Sequence, residues 1–281
     1  MYFPVSGVEC PFWVPVAAAF VVALVTAPAG VSGAFLLLPF QMSVLGFVAP
    51  AVTPTNLIYN VIATPGGIIR YIQEHRMSWP LAWAIMAGTL PGVFLGAVIR
   101  VRYLPDPRHA KLVVGCVLLY LGLRLLRDVF RRKAPLRAAV PAPNSAILAV
   151  VALPVGIVGG IYGVGGGAMI APFAMTILAL PARAVAGAAL LGTLATSIAG
   201  VVSFEILSRI ALTAGVAVQP DWTLGLLFGA GGLLGGYFGA RLQKHLPERW
   251  IRFLLGLLVT GLALAYIIYF MRFFLSSRNA S

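Results

Sequence analysis

The chain has 281 residues, of which 60% are hydrophobic and only 10% charged, against about 25% charged in an ordinary soluble domain. With a mean hydropathy of +0.98, it has too little polar surface for a soluble enzyme, a nucleic-acid-binding module or a disordered chain, and reads as an integral membrane protein. The net charge of +13 is scattered in short stretches between apolar runs, where it orients loops at lipid headgroups rather than building a nucleic-acid-binding face.

Residues 1–12 carry no basic stretch ahead of an apolar run, so no cleaved signal peptide is expected. Apolar runs then follow at about 13–46, 50–69, 80–99, 112–126, 146–182, 184–207, 222–240 and 253–271. About 20 helical residues span the hydrocarbon core. The fold expected is therefore an all-α membrane bundle of eight runs and 8–10 crossings. The runs at 13–46 and 146–182 are too long for one helix. Gly30-Val31-Ser32-Gly33 interrupts the first, and Gly163-Val164-Gly165-Gly166-Gly167 the second. Irregular backbone cannot face lipid, so both breaks must be buried in protein or line a cavity.

The two breaks are also a repeat. Gly30 to Phe40 aligns without a gap on Gly163 to Phe173, an offset of 133 that continues through Asn60 and Thr193 and through Thr64 and Ser197. Gly88, Gly92 and Gly96 then match Gly231, Gly235 and Gly239 at an offset of 143. Two transmembrane repeats are expected, 1–127 and 146–281, joined by a basic, Pro-rich linker at 128–145. If each broken run enters and returns, the linker side collects 13 of the 20 Lys and Arg residues. Basic loops prefer the cytoplasm, which favours inverted repeats with the linker inside and both termini outside.

No Asp, Glu, Lys, Arg or His lies deep in an apolar run. That argues against an intramembrane enzyme, a proton relay and a voltage sensor. Cys10 and Cys116 are too few for a disulfide framework, and no Cys/His cluster exists, so neither cofactor nor metal is expected. At a break, the N–H groups of the following half-helix lose their intrahelical partners and favour an anion. Gly30, Ser32 and Gly33, with Gly163, Gly165, Gly166 and Gly167, form a pair of candidate anion-binding loops. Close packing through small residues is the competing explanation. With Ser32 crowding the first loop, the second is expected to matter more for binding. The following helices supply Asn56 and Asn60, one turn apart, and Thr193 and Ser197. These either touch the ligand or hydrogen-bond between helices. The GxxxG glycines read as close helix contacts, with a homodimer through them as a further expectation. Glu205 and Arg209 are spaced to pair, and Trp79, Trp83, Trp222 and Trp250 are placed as interfacial anchors.

The glycine-rich break followed by an apolar stretch and Pro, present twice, resembles the sulfite exporter TauE/SafE family. Gly163 to Pro172, followed by Ala186-Gly187-Ala188-Ala189-Leu190-Leu191, carries the match best. The first half departs, with Ser32 and Ala34 where glycines are usual and Thr53-Pro54-Thr55-Asn56 opening the next helix. The resemblance implies export of sulfite, thiosulfate or an organosulfonate such as sulfoacetate across a bacterial inner membrane. Membrane lipids and a small anionic substrate are then the partners, with no nucleic acid. A channel of similar build, a carrier of another small organic anion, and a membrane scaffold are the alternatives.

Overall fold

In the computed structural model, residues 1–47, 51–102, 108–130, 145–162, 164–178, 180–209 and 219–278 are described. A short hairpin, β1 (Tyr2–Phe3) and β2 (Val8–Glu9), precedes ten α-helices. These are α1 (Trp13–Thr26), α2 (Ala34–Ser43), α3 (Val52–Gln73), α4 (Trp79–Arg102), α5 (Arg108–Phe130), α6 (Ser145–Tyr162), α7 (Gly166–Thr176), α8 (Ala182–Arg209), α9 (Trp222–Leu242) and α10 (Glu248–Arg278). The all-α membrane class is borne out. Among the described residues, four helices are long and apolar enough to cross a bilayer, namely α4, α8, α9 and α10, while the Trp13–Ala29 and Ile147–Ile161 segments are shorter apolar helices. The linker from 131 to 144 and Gly163 lie outside the described residues, as does the side chain of Arg209. The four tryptophans placed as anchors are all exposed at helix starts.

Both long runs are broken where the sequence says. After α1, Pro28 sits in a single 3-10 turn, Ala27–Ala29. Gly30 then takes the left-handed conformation, at φ 73°. The N–H of Val31 returns to the carbonyl of Thr26, and that of Gly30 to Ala27. This is a Schellman-type stop, and it needs glycine at the left-handed position. The second break turns at Gly165, with φ 76° and ψ 133°, a conformation that side chains strongly disfavour.

Helix directions follow from which glycines meet which partners. Gly88, Gly92 and Gly96 of α4 lie on Ala149, Leu153 and Ile157 of α6, so these helices run parallel. Gly231, Gly235 and Gly239 of α9 lie in the same way on Val16, Phe20 and Leu24 of α1. Each GxxxG face is thus filled within the chain, backbone against backbone, as small residues permit. Helix α9 also runs parallel to α3, through Gly225 on Ile58 and Gly229 on Ile62. By contrast, Gly67 near the end of α3 meets Leu190 near the start of α8, and Gly200 late in α8 meets Leu57 early in α3. Helices α3 and α8 are therefore antiparallel. So are α5 and α10, where Gly122 meets Thr260 and Gly256 meets Leu126. Since α1 and α3 both run with α9, the chain enters through α1 and returns through α2 before α3 begins.

The ends of α3 and α9 and the start of α6 share one end of the bundle, called here the linker end. Glu74 there pairs with Arg70, Arg76 and Lys244. Burial would raise the Glu74 carboxyl, but the Arg76 and Arg70 charges outweigh it and hold the group below the usual carboxylate range. Gln243 is buried beside this cluster, accepts from Arg76 and donates to the Pro28 carbonyl at 2.7 Å. At the opposite end, Asp221 caps α9 by accepting from the Leu224 N–H at 3.0 Å and tethers the hairpin through the Ser6 hydroxyl at 2.8 Å.

Candidate substrate site at two helix breaks

The structure divides the sequence-predicted residues into two groups, one at each break. At the first break the carbonyl ends are spoken for. Thr26 and Ala27 accept from Val31 and Gly30, Ala27 also accepts from the Tyr71 hydroxyl at 3.1 Å, and Pro28 accepts from Gln243. The donors are not. The N–H groups of Ser32 and Ala34, at the start of α2, make no backbone hydrogen bond. The Ser32 hydroxyl is buried without a partner. The Tyr59 hydroxyl, which reaches from the middle of α3 to the backbone of Gly33, is also buried, with the Gly33 N–H beside its oxygen and no acceptor for its proton among the described residues.

A cavity opens here, lined on its polar side by Thr26, Ser32, Gly33, Tyr59 and Thr64. The space available to water-sized centres is ≈ 10 Å³, on the order of a single water. The glycines explain how Tyr59 fits. Its ring packs on Gly232 of α9 and its hydroxyl on Gly33, where any Cβ would collide.

At the second break the first N–H of α7, on Gly166, is taken by the Thr196 hydroxyl at 3.1 Å. Asn60 donates through Nδ2 to the Val164 carbonyl at 3.2 Å. A carbonyl can only accept, so this bond fixes the amide with Oδ1 as its free end. That oxygen is buried without a partner, and so is the Ser197 hydroxyl. Both side chains converge on Gly165. A Cβ built there would lie 2.8 Å from Thr193 Cγ2, 3.1 Å from Ser197 Oγ and 3.4 Å from Asn60 Nδ2. Asn60, Gly165, Thr193 and Ser197, paired from the sequence, thus form one cluster.

Other predicted residues serve packing. Gly166 lies against Thr89 and Gly156, and Gly167 against the backbone of Ala189 and Thr193, so both let α7 approach its neighbours closely. Asn56 accepts from Gln41 and donates to the Ala34 carbonyl at 3.1 Å, which fastens α2 to α3. Gly30 lies on the backbone of Ala186. The sequence marks Tyr59 and Thr196 as part of the polar middle of the helices that follow the breaks, without assigning either to the site, and it gives no sign of Gln243. Only the glycines opposite Tyr59 could have signalled room for its hydroxyl.

Helices of spanning length and two buried breaks beside polar side chains are the build of a polytopic membrane transporter. The chain belongs to the sulfite exporter TauE/SafE family, whose model matches residues 16–266. It is 26% identical over 249 residues to the probable membrane transporter protein y4hK of Sinorhizobium fredii, covering 88% of this chain and 95% of that protein. A probable membrane transporter protein of Xylella fastidiosa (strain Temecula1) is 27% identical over 256 residues, covering 85% and 88% of the two chains. No solved structure matches the chain.

Proposed function

We propose that this protein exports small sulfur-containing anions, sulfite or an organosulfonate such as sulfoacetate, across the bacterial inner membrane. The observation that carries the reading is the first break, where buried hydroxyls and N–H groups lie open while the Thr26, Ala27 and Pro28 carbonyls are already bonded. An anion there meets the N-terminal dipole of α2, the N–H groups of Ser32 to Ala34, and the hydroxyls of Ser32 and Tyr59. These groups are all neutral. They hold an anion less firmly than a salt bridge would, which suits a protein that must release its cargo. A sulfite or sulfonate offers three oxygens on a pyramid and engages donors from several directions, whereas a carboxylate offers two in a plane.

The antiparallel course of α3 against α8, and of α5 against α10, supports inverted repeats. Arg70, Arg76, Arg183, Arg241, Lys244, Arg249 and Arg252 collect at the linker end, which supports a cytoplasmic linker and outward termini.

The test is flux. Purified protein in sealed liposomes should pass sulfite with a rate that saturates, and should discriminate sulfoacetate from malonate by about 1–2 kcal/mol for each donor left unmatched. Flux that rises linearly with concentration indicates a channel, and no flux of any sulfur anion refutes the reading.

A further inference from the structure

We infer that Gln243 and Tyr71, held by Arg76, are positioning residues that make the first break favour an anion, by occupying carbonyl oxygens that would otherwise repel one. The identity of the ligand rests on the transport reading; the polarity of the break does not. A break between two helices is ambivalent in charge. The N–H groups that open α2 attract an anion, while the carbonyls that close α1 and its 3-10 turn repel it. Which of these groups are already bonded decides what the break offers.

Two of the donors on the carbonyl side come from outside the break. Thr26 accepts from the Val31 N–H and Ala27 from the Gly30 N–H, both bonds internal to the turn. Ala27 accepts a second time, from the Tyr71 hydroxyl of α3 at 3.1 Å. Pro28 accepts from Gln243 Nε2 at 2.7 Å, across 215 positions of the chain. Tyr71 and Gln243 are both 0% exposed. A carbonyl stripped of its donor at this depth would turn its negative end on an anion through a medium that screens weakly.

Arg76 holds both donors. Its Nη1 donates to Gln243 Oε1, and a guanidinium can only donate, so the Gln243 amide must turn Nε2 toward Pro28. Its Nη2 donates to the Glu74 carboxylate and to the Ala240 carbonyl. The same guanidinium lies 4.8 Å from the centre of the Tyr71 ring. Lysine has no planar fork with which to meet these partners together. Arg76 follows the end of α3 and Gln243 the end of α9, so the two helix ends reach the break as one unit.

Ser32→Cys, combined with Cys10→Ala and Cys116→Ala, places an ionisable thiol at the break as a tethered anion. Its titration, followed by the ultraviolet absorbance of the thiolate, needs no substrate. Gln243→Leu bares the Pro28 carbonyl and should raise the pH of half-ionisation by about one unit. Tyr71→Phe keeps the ring beside Arg76 and leaves Ala27 its bond from Gly30, so it should fold normally and shift the titration the same way by less. With serine restored at position 32, sulfite affinity, read by calorimetry well below each melting temperature, should fall about tenfold in Gln243→Leu. A titration that neither variant moves overturns the inference, as does sulfite affinity unchanged in both. A shifted titration in a protein that binds no sulfite keeps this control of polarity and removes the transport reading. Sulfite binding with an unmoved titration does the opposite.

Discussion

Asn60 donates its side-chain amide to the carbonyl of Val164, 3.2 Å away and 104 positions along the chain. One hydrogen bond thereby joins the middle of α3 to the break in the other half, and it also orients the amide. The nitrogen is committed to the Val164 carbonyl and is also the Asn60 atom that lies against Gly165, while the buried Oδ1 has no partner among the described residues.

Gly165→Ala should destabilise the protein by about 1–3 kcal/mol. Its φ of 76° strains any side chain, and the new methyl would sit 2.8 Å from Thr193 Cγ2. Gly46, at φ 70° with open space around it, is the control for strain alone. Thermal unfolding in detergent should give a clearly larger loss for Gly165→Ala than for Gly46→Ala. Equal losses would mean that the cluster yields freely.

Asp221→Ala removes the cap of α9 and the tether of the N-terminal hairpin together. The cap alone is worth about 0.5–2 kcal/mol. The Ser6 N–H and hydroxyl lose their shared acceptor as well. Asp221→Asn keeps a capping oxygen and should fall between. The order wild type, Asn, Ala in melting temperature is the expected result.

Glu74 supplies a pH signature. Its folded value is depressed by Arg76 and Arg70 against the raising effect of burial. The stabilisation is therefore fully present above the ordinary carboxylate range, about pH 4.3, and is lost as pH falls through the depressed folded value. Glu74→Gln should lower the melting temperature at pH 7, and the gap to wild type should close in strong acid. A gap that is constant with pH would show that the charge contributes nothing.

Gly92→Leu should prevent correct folding rather than only alter association. A Cβ at Gly92 would run into the Leu153 carbonyl and the backbone of Gly156. Gly235→Leu should do the same against the Phe20 carbonyl. Loss of the monodisperse peak on size exclusion is expected for both. A folded protein with only its oligomeric state changed would place these faces between subunits instead.

Much of the frame was legible because membrane physics leaves few choices. Pro28 and Gly30 had to stop α1, and the glycine run of the second half marks the break that turns at Gly165 before α7 starts at Gly166. The GxxxG spacing foretold backbone-close contacts, though not that α6 and α1 would be the partners. The site was harder to read. Asn56 and Asn60 share a face and look alike in sequence, yet Gln41 and Ala34 occupy the first and Val164 half-occupies the second. Which end of an amide is free depends on neighbours from remote segments. Tyr59 was legible as a polar residue of its helix but not as part of the site, because its tip matters only where Gly33 and Gly232 make room for it.

The central claim is that unpartnered donors at the first break hold the anion, and Tyr59→Phe tests it most directly. The deleted hydroxyl is buried with no acceptor for its proton and only the Gly33 N–H beside its oxygen, so its loss should change the melting temperature little. Sulfite binding, read by calorimetry on purified protein, should weaken about tenfold, the equivalent of about 1.4 kcal/mol for one hydrogen bond, and Ser32→Ala should add a similar loss. Unchanged sulfite affinity in a stably folded Tyr59→Phe, Ser32→Ala double variant would contradict the account.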